Sequence, residues 1–127
     1  MDEAATRKLI RDHFQAAGRD EVAASEIYAD DAVLDFPQGR ERIRGKANIL
    51  AFRVAYPASL DFDIRRTIGS GDLWVNEYTI RYDGTPRNVV GIMEFHDGQV
   101  VHETVYVAEP WEPPAWRARW VEPMSDT

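Results

Sequence analysis

Three observations predict an α+β fold in which helices pack on one face of a curled antiparallel sheet. First, residues 73–107 divide into three alternating runs joined by Asp83-Gly84 and Asp97-Gly98. Asp-Gly between such runs favours a tight hairpin, because both turn positions need positive φ. Second, Leu9, Ile10, His13, Phe14 and Ala17 follow the 3, 4 spacing of one apolar helical stripe. Third, the elements run helix, short helix, strand, helix and then four long strands. That order gathers the helices on one side of the sheet. A curled sheet so covered encloses a cone whose open end is a natural ligand site.

Each element has its local reason. Residues 2–17 form the first helix, and Gly18 supplies a C-terminal stop. Asp20 caps a short second helix with Val22, Ala23, Ile27 and Tyr28 facing inward. Asp30-Asp31 breaks it, and residues 32–36 are a short strand closed by Pro37 and Gly39. Residues 40–45 read as a polar loop. Residues 46–56 form a third helix with Ile49, Leu50, Phe52 and Arg53 near one side, stopped by Pro57. Residues 60–68 alternate as a strand, Leu60, Phe62, Ile64 and Ile68 against Asp61, Asp63, Arg65 and Thr67.

The central meander then assigns its faces by the period of two. Trp74, Asn76, Tyr78 and Ile80 share one face of its first strand. Val89, Gly91, Met93 and Phe95 share one face of the second, and Val101, Glu103, Val105 and Val107 one face of the third. Asn76 and Glu103 are polar interruptions of apolar faces. A polar group on a buried face needs a partner, so chemistry is sought there. Beyond residue 108 the composition changes: residues 109–123 hold four prolines and three tryptophans. Pro114 suits the start of one or two helical turns with Trp116 and Trp120 on one side. This tail is expected to pack on the domain or on a dimer mate, or else to close over the pocket as a lid.

Length and charge bound the function. The 127 residues make one domain, with its core at 3–108 and a tail at 109–127. A net charge of −7 argues against nucleic acid or an anionic membrane as the partner. Arg40, Arg42, Arg44 and Lys46 are read as a solvated loop. With no cysteine there is no disulfide, thiolate metal site or cysteine nucleophile. The three histidines lack ligand spacing and no glycine-rich phosphate loop appears, so neither metal nor cofactor is expected. No run is long and apolar enough to span a membrane, and the acidic N-terminus is unlike a secretory signal. A cytoplasmic location is therefore expected.

The cone should gather His13, Tyr28, Phe36, Arg53, Trp74, Asn76, Tyr78, Met93 and Glu103. Glu103 is the candidate base, since a carboxyl in apolar surroundings holds its proton more tightly. The plainer reading pairs it with Arg53 or leaves it at the rim. His13 is the candidate donor, against the plainer reading of a satisfied core histidine. Tyr28, Phe36, Arg53, Trp74, Asn76, Tyr78 and Met93 are the candidate ligand-binding set, for a small apolar or aromatic molecule. His96 and His102 belong to the surface or an interface.

Residues 28–37, read as Tyr-Ala-Asp-Asp-Ala-Val-Leu-Asp-Phe-Pro, resemble a segment of the nuclear transport factor 2-like superfamily. That group holds SnoaL-like polyketide cyclases, ketosteroid isomerases and limonene epoxide hydrolases. Ile43-Arg44-Gly45 before the third helix, and Asp97-Gly98-Gln99-Val100-Val101, are similar to further segments of it. The resemblance covers about residues 3–108 and implies a cystatin-like, cone-shaped α+β barrel, with three N-terminal helices on the concave face. It also implies a homodimer through the outer sheet face, at Val75, Thr79, Arg81, Val90, Ile92, His102 and Tyr106. Fold does not fix activity, so the family's catalytic positions are carried over singly. The steroid isomerase base falls at Phe36, which takes no proton. Its tyrosine donor falls near His13 and its protonated aspartate at about Gly91. The epoxide hydrolase set falls near Ile80, Tyr78 and Val105, and none of it survives. In SnoaL-like cyclases an acid or base inside the cone moves a proton next to a carbonyl. The reading is thus a cofactor-free isomerase, cyclase or dehydratase acting by proton transfer. The alternative is a ligand- or protein-binding module of the same fold without chemistry.

Overall fold

The computed structural model describes residues 2–125. Helix α1 spans Glu3–Ala16, and its N-cap Asp2 accepts the Ala5 N–H at 2.7 Å. Gly18 turns the chain at φ +81, where any Cβ would meet the Leu60 carbonyl oxygen at 2.5 Å. Helix α2 is the single turn Glu21–Ala24, followed by a 3-10 turn at Ser25–Ile27. Strand β1 is Tyr28–Phe36, and β2 is Glu41–Arg44. Helix α3 is Lys46–Ala55. Strands β3 (Leu60–Ser70), β4 (Leu73–Tyr82), β5 (Thr85–His96) and β6 (Gln99–Ala108) follow. The Asp83-Gly84 and Asp97-Gly98 turns have positive φ at all four residues, as their hairpins require.

The six strands form one curved, unclosed sheet in the order β2-β1-β6-β5-β4-β3. Four pairings are antiparallel, and β1 lies parallel to β6. The core, with Ile10, Leu34, Ile49, Trp74 and Met93 at or near zero exposure, fills the space between the helices and the concave face. Among the described residues no helix is long and apolar enough to cross a membrane.

Five local expectations are corrected. The second helix ends at Ala24, and Tyr28 opens a strand, because pairing with Val100 of β6 overrides the helical spacing. Val22 and Ala23 face solvent. The polar loop at 40–45 is largely the edge strand β2, with Arg42 opposite Asp35 on β1. A short charged edge strand resists pairing with another chain. In β3 the register shifts between Ile64 and Arg66, so Thr67 turns inward and Ile68 outward, 57% exposed. A shift between Glu94 and Phe95 likewise turns Val100, rather than Val101, into the core. One extra residue exchanges the faces beyond it. The tail turns at Ala115–Trp120 as 3-10 helix, yet Trp111, Trp116 and Trp120 stay exposed and do not pack on their own domain.

Candidate functional site

The cone opens between α3 and the ends of β1, β3, β4, β5 and β6. Its cavity has a volume of about 690 Å³, within the range of small-molecule sites. Phe36, Phe52, Tyr56, Tyr82, Ile80 and Val107 make apolar and aromatic walls. Arg53 and Tyr78 line it as polar groups, and Arg87 and Glu109 sit at its rim, 3.6 Å apart.

Alternation along β6 turns Glu103 inward with Val105, and only 1% of Glu103 is exposed. The Tyr28 hydroxyl donates to Glu103 Oε1. Nη2 of Arg53, from the last turn of α3, stands 4.0 Å from the same oxygen. Glu103 Oε2 and the Tyr78 hydroxyl stand 3.5 and 3.3 Å from the point a Cβ on Gly91 would occupy. Gly91 therefore holds open the space in which carboxylate and phenol approach. This is also the position where the resemblance expects a protonated aspartate; here the carboxyl over it comes from the neighbouring strand.

Burial, then the nearby Glu103 charge, pushes the Tyr28 and Tyr78 phenols well up, so both are proton donors rather than bases. Burial opposes the charge on Arg53, but Tyr28, Glu103 and Tyr78 outweigh it and raise its proton affinity. His13 is buried behind Tyr28, its ring edge-on to the phenol at 5.8 Å between centroids. Its Nδ1–H donates to the Ala24 carbonyl at 2.7 Å, since a carbonyl can only accept. Burial holds the His13 pKa below its ordinary value, against the opposing pull of Glu103.

The nominated residues thus separate into layers. Phe36, Arg53 and Tyr78 line the cavity. Tyr28 and Glu103 are hydrogen-bonded to each other and do not line it, and Glu103 Oε1 stands 4.0 Å from Arg53. His13 borders a void of about 10 Å³ with Tyr28 and Arg53, too small for more than a water. Trp74, Asn76 and Met93 are fully buried and do not line the opening. Asn76 Oδ1 accepts from the Thr67 hydroxyl at 2.8 Å, while its Nδ2 has no hydrogen-bond partner among the described residues. Sequence reasoning did not nominate Tyr56, Tyr82 or Arg87. Their signal was positional: Tyr82 and Arg87 flank the Asp83-Gly84 hairpin, and Tyr56 precedes the proline that ends α3.

None of the curated proteins compared matches the chain. Among solved structures, a nuclear transport factor 2-like protein of unknown function from Burkholderia xenovorans LB400 is 45% identical. The match covers 98% of this chain and 99% of that one, with a TM-score of 0.87. A protein of Kribbella flavida DSM 17836, provisionally named a ketosteroid isomerase, is 28% identical over 96% of this chain and 91% of that one, also at 0.87. A protein of Sinorhizobium meliloti, provisionally named a polyketide cyclase, shares the fold at 24% identity and a TM-score of 0.66, covering 77% of this chain and 93% of its own. The SnoaL-like domain matches residues 7–103, which include β1, α3 and the site carboxylate Glu103, and the chain belongs to that family.

Proposed function

We propose that the protein is a cofactor-free enzyme that moves a proton next to a carbonyl of a small, apolar, oxygenated substrate held in the cone. Its reaction class is isomerisation, cyclisation or dehydration, the first two in keeping with the names its structural neighbours carry. The observation that carries this reading is a carboxylate 1% exposed, held by the Tyr28 hydroxyl and 4.0 Å from Arg53, a residue that lines an apolar-walled opening. Glu103 takes a proton from the carbon beside the carbonyl. The C–H pair moves into the enolate, and charge gathers on the carbonyl oxygen. The Tyr78 hydroxyl and the Arg53 guanidinium are the groups placed to carry that charge. Returning the proton to another carbon completes an isomerisation. Tyr28 holds the carboxylate through Oε1, and His13 fixes the back of the Tyr28 ring.

The test is exchange of the α-hydrogens of a panel of cyclic and aryl ketones in D₂O, followed by proton NMR. Glu103→Gln is expected to slow exchange about 100-fold or more. Exchange at the wild-type rate in that variant overturns the assignment. One observation favours a second reading, a ligand holder without chemistry: Glu103 lies under the cavity wall rather than on it. That reading expects a ligand recovered unchanged, with no α-exchange in any variant.

We further infer a homodimer through the outer face of the sheet. Val75 and Tyr106 are 38% and 47% exposed there, and the bulge in β3 adds Ile68 to the exposed apolar set.

A further inference from the structure

The guanidinium of Arg53 has no matching acceptor. Its side chain is 19% exposed, and among the described residues it donates no hydrogen bond. Glu103 Oε1 at 4.0 Å is too far for one and is already engaged by the Tyr28 hydroxyl. A guanidinium has five N–H donors in a planar fork; those of Arg53 are only partly open to water, and no acceptor among the described residues takes them up. The surrounding groups nevertheless keep it charged.

We infer that Arg53 is the anchor for a ligand carboxylate, so that the cone takes a small aromatic or cyclic monocarboxylic acid. This inference rests on the reading of the cone as a ligand site and adds the substrate class. Two features set the chemistry. The planar fork matches a carboxylate bidentately. Glu103 beside it, a second acid, limits the ligand to one negative charge, because a dianion would meet uncompensated repulsion. The walls set the body: Phe36, Phe52, Tyr56 and Tyr82 present ring surfaces suited to a flat ligand. For the enolising reaction proposed above, the substrate becomes a keto acid. Its carboxylate then lies on Arg53, the Tyr78 hydroxyl is left to carry the enolate charge, and its acidic C–H faces Glu103.

The experiment compares 2-naphthoate with its neutral amide by calorimetry, on wild-type protein and on Arg53→Leu and Arg53→Lys. Wild-type protein is expected to bind the acid about tenfold or more tighter than the amide, the worth of a charged hydrogen-bonded pair. Arg53→Leu should erase that preference, so that acid and amide bind alike. Arg53→Lys should retain part of it, and its charge keeps the test open should the leucine variant misfold. Equal binding of acid and amide to the wild type overturns the carboxylate inference and leaves the cavity reading standing. Binding of neither probe overturns both.

Discussion

Glu103 and Gly91 show how one residue conditions another. Because the strands twist and curl, a carboxyl on β6 lies over the glycine of β5, with the Tyr78 phenol on the other side. Gly91→Ala would place a methyl 3.3 Å from the Tyr78 hydroxyl, so the phenol must move. A loss of about 1–3 kcal/mol is expected in denaturant unfolding, with weakened ligand binding, and the phenol's ultraviolet signal should report the displacement. His13 supplies a pH effect. Its native pKa lies below the ordinary 6.5, so at pH above that value both folded and unfolded chains carry a neutral ring. As pH falls below 6.5 the unfolded state binds the proton first, and stability is lost until the native pKa is reached. Thermal unfolding should therefore shift downward between pH 7 and pH 5, and His13→Gln should flatten that slope.

At the scale of elements, β2 is tied to β1 through Asp35, whose carboxylate accepts Arg42 Nε–H and Nη2–H at 2.7 and 2.9 Å. His102 Nε2 reaches the same carboxylate at 2.8 Å. The Arg42 bond, with His102 in support and burial opposing, holds the Asp35 pKa at about 2 against an ordinary 3.8. A carboxyl so depressed stabilises the fold above pH 3.8 and loses that contribution as pH falls toward 2. Acid unfolding of Asp35→Asn should lack that portion of the titration, read by circular dichroism between pH 5 and pH 2. The hairpins were legible in the chain, because Asp-Gly fixes a turn from two adjacent residues. The bulge at Ile64/Arg66 was not: no residue type marks it, and strict alternation placed Thr67 outside and Ile68 inside. Its consequence reaches the core, where Thr67 now meets Asn76. The first residues of β1, from Tyr28, are not legible as strand for a similar reason, since a parallel partner about 70 residues away in sequence holds them.

For the whole molecule, the outer sheet face and the tail leave apolar surface uncovered. Trp111, Trp116 and Trp120 are 75%, 75% and 65% exposed, and large exposed aromatic area is characteristic of an interface. Sedimentation at micromolar concentration is expected to show a dimer. Val75→Glu, which sets a charge on the outer sheet face, should shift it to monomer with the circular dichroism spectrum unchanged. A monomeric wild type overturns the inferred association.

Local sequence determined the strands of the meander, the helical stripe of α1, the stop before β3 and the inward turn of Glu103. Each follows from a period or a turn within a few residues, where the physics is short-ranged. Only the tertiary structure decided that Glu103 meets Tyr28, Arg53 and Tyr78 around Gly91, that His13 stands one layer behind them, and that Tyr56, Tyr82 and Arg87 shape the mouth. Those meetings join elements far apart in the chain. The curl of the sheet and the bulges that reset its register create them, and neither is written in any one segment.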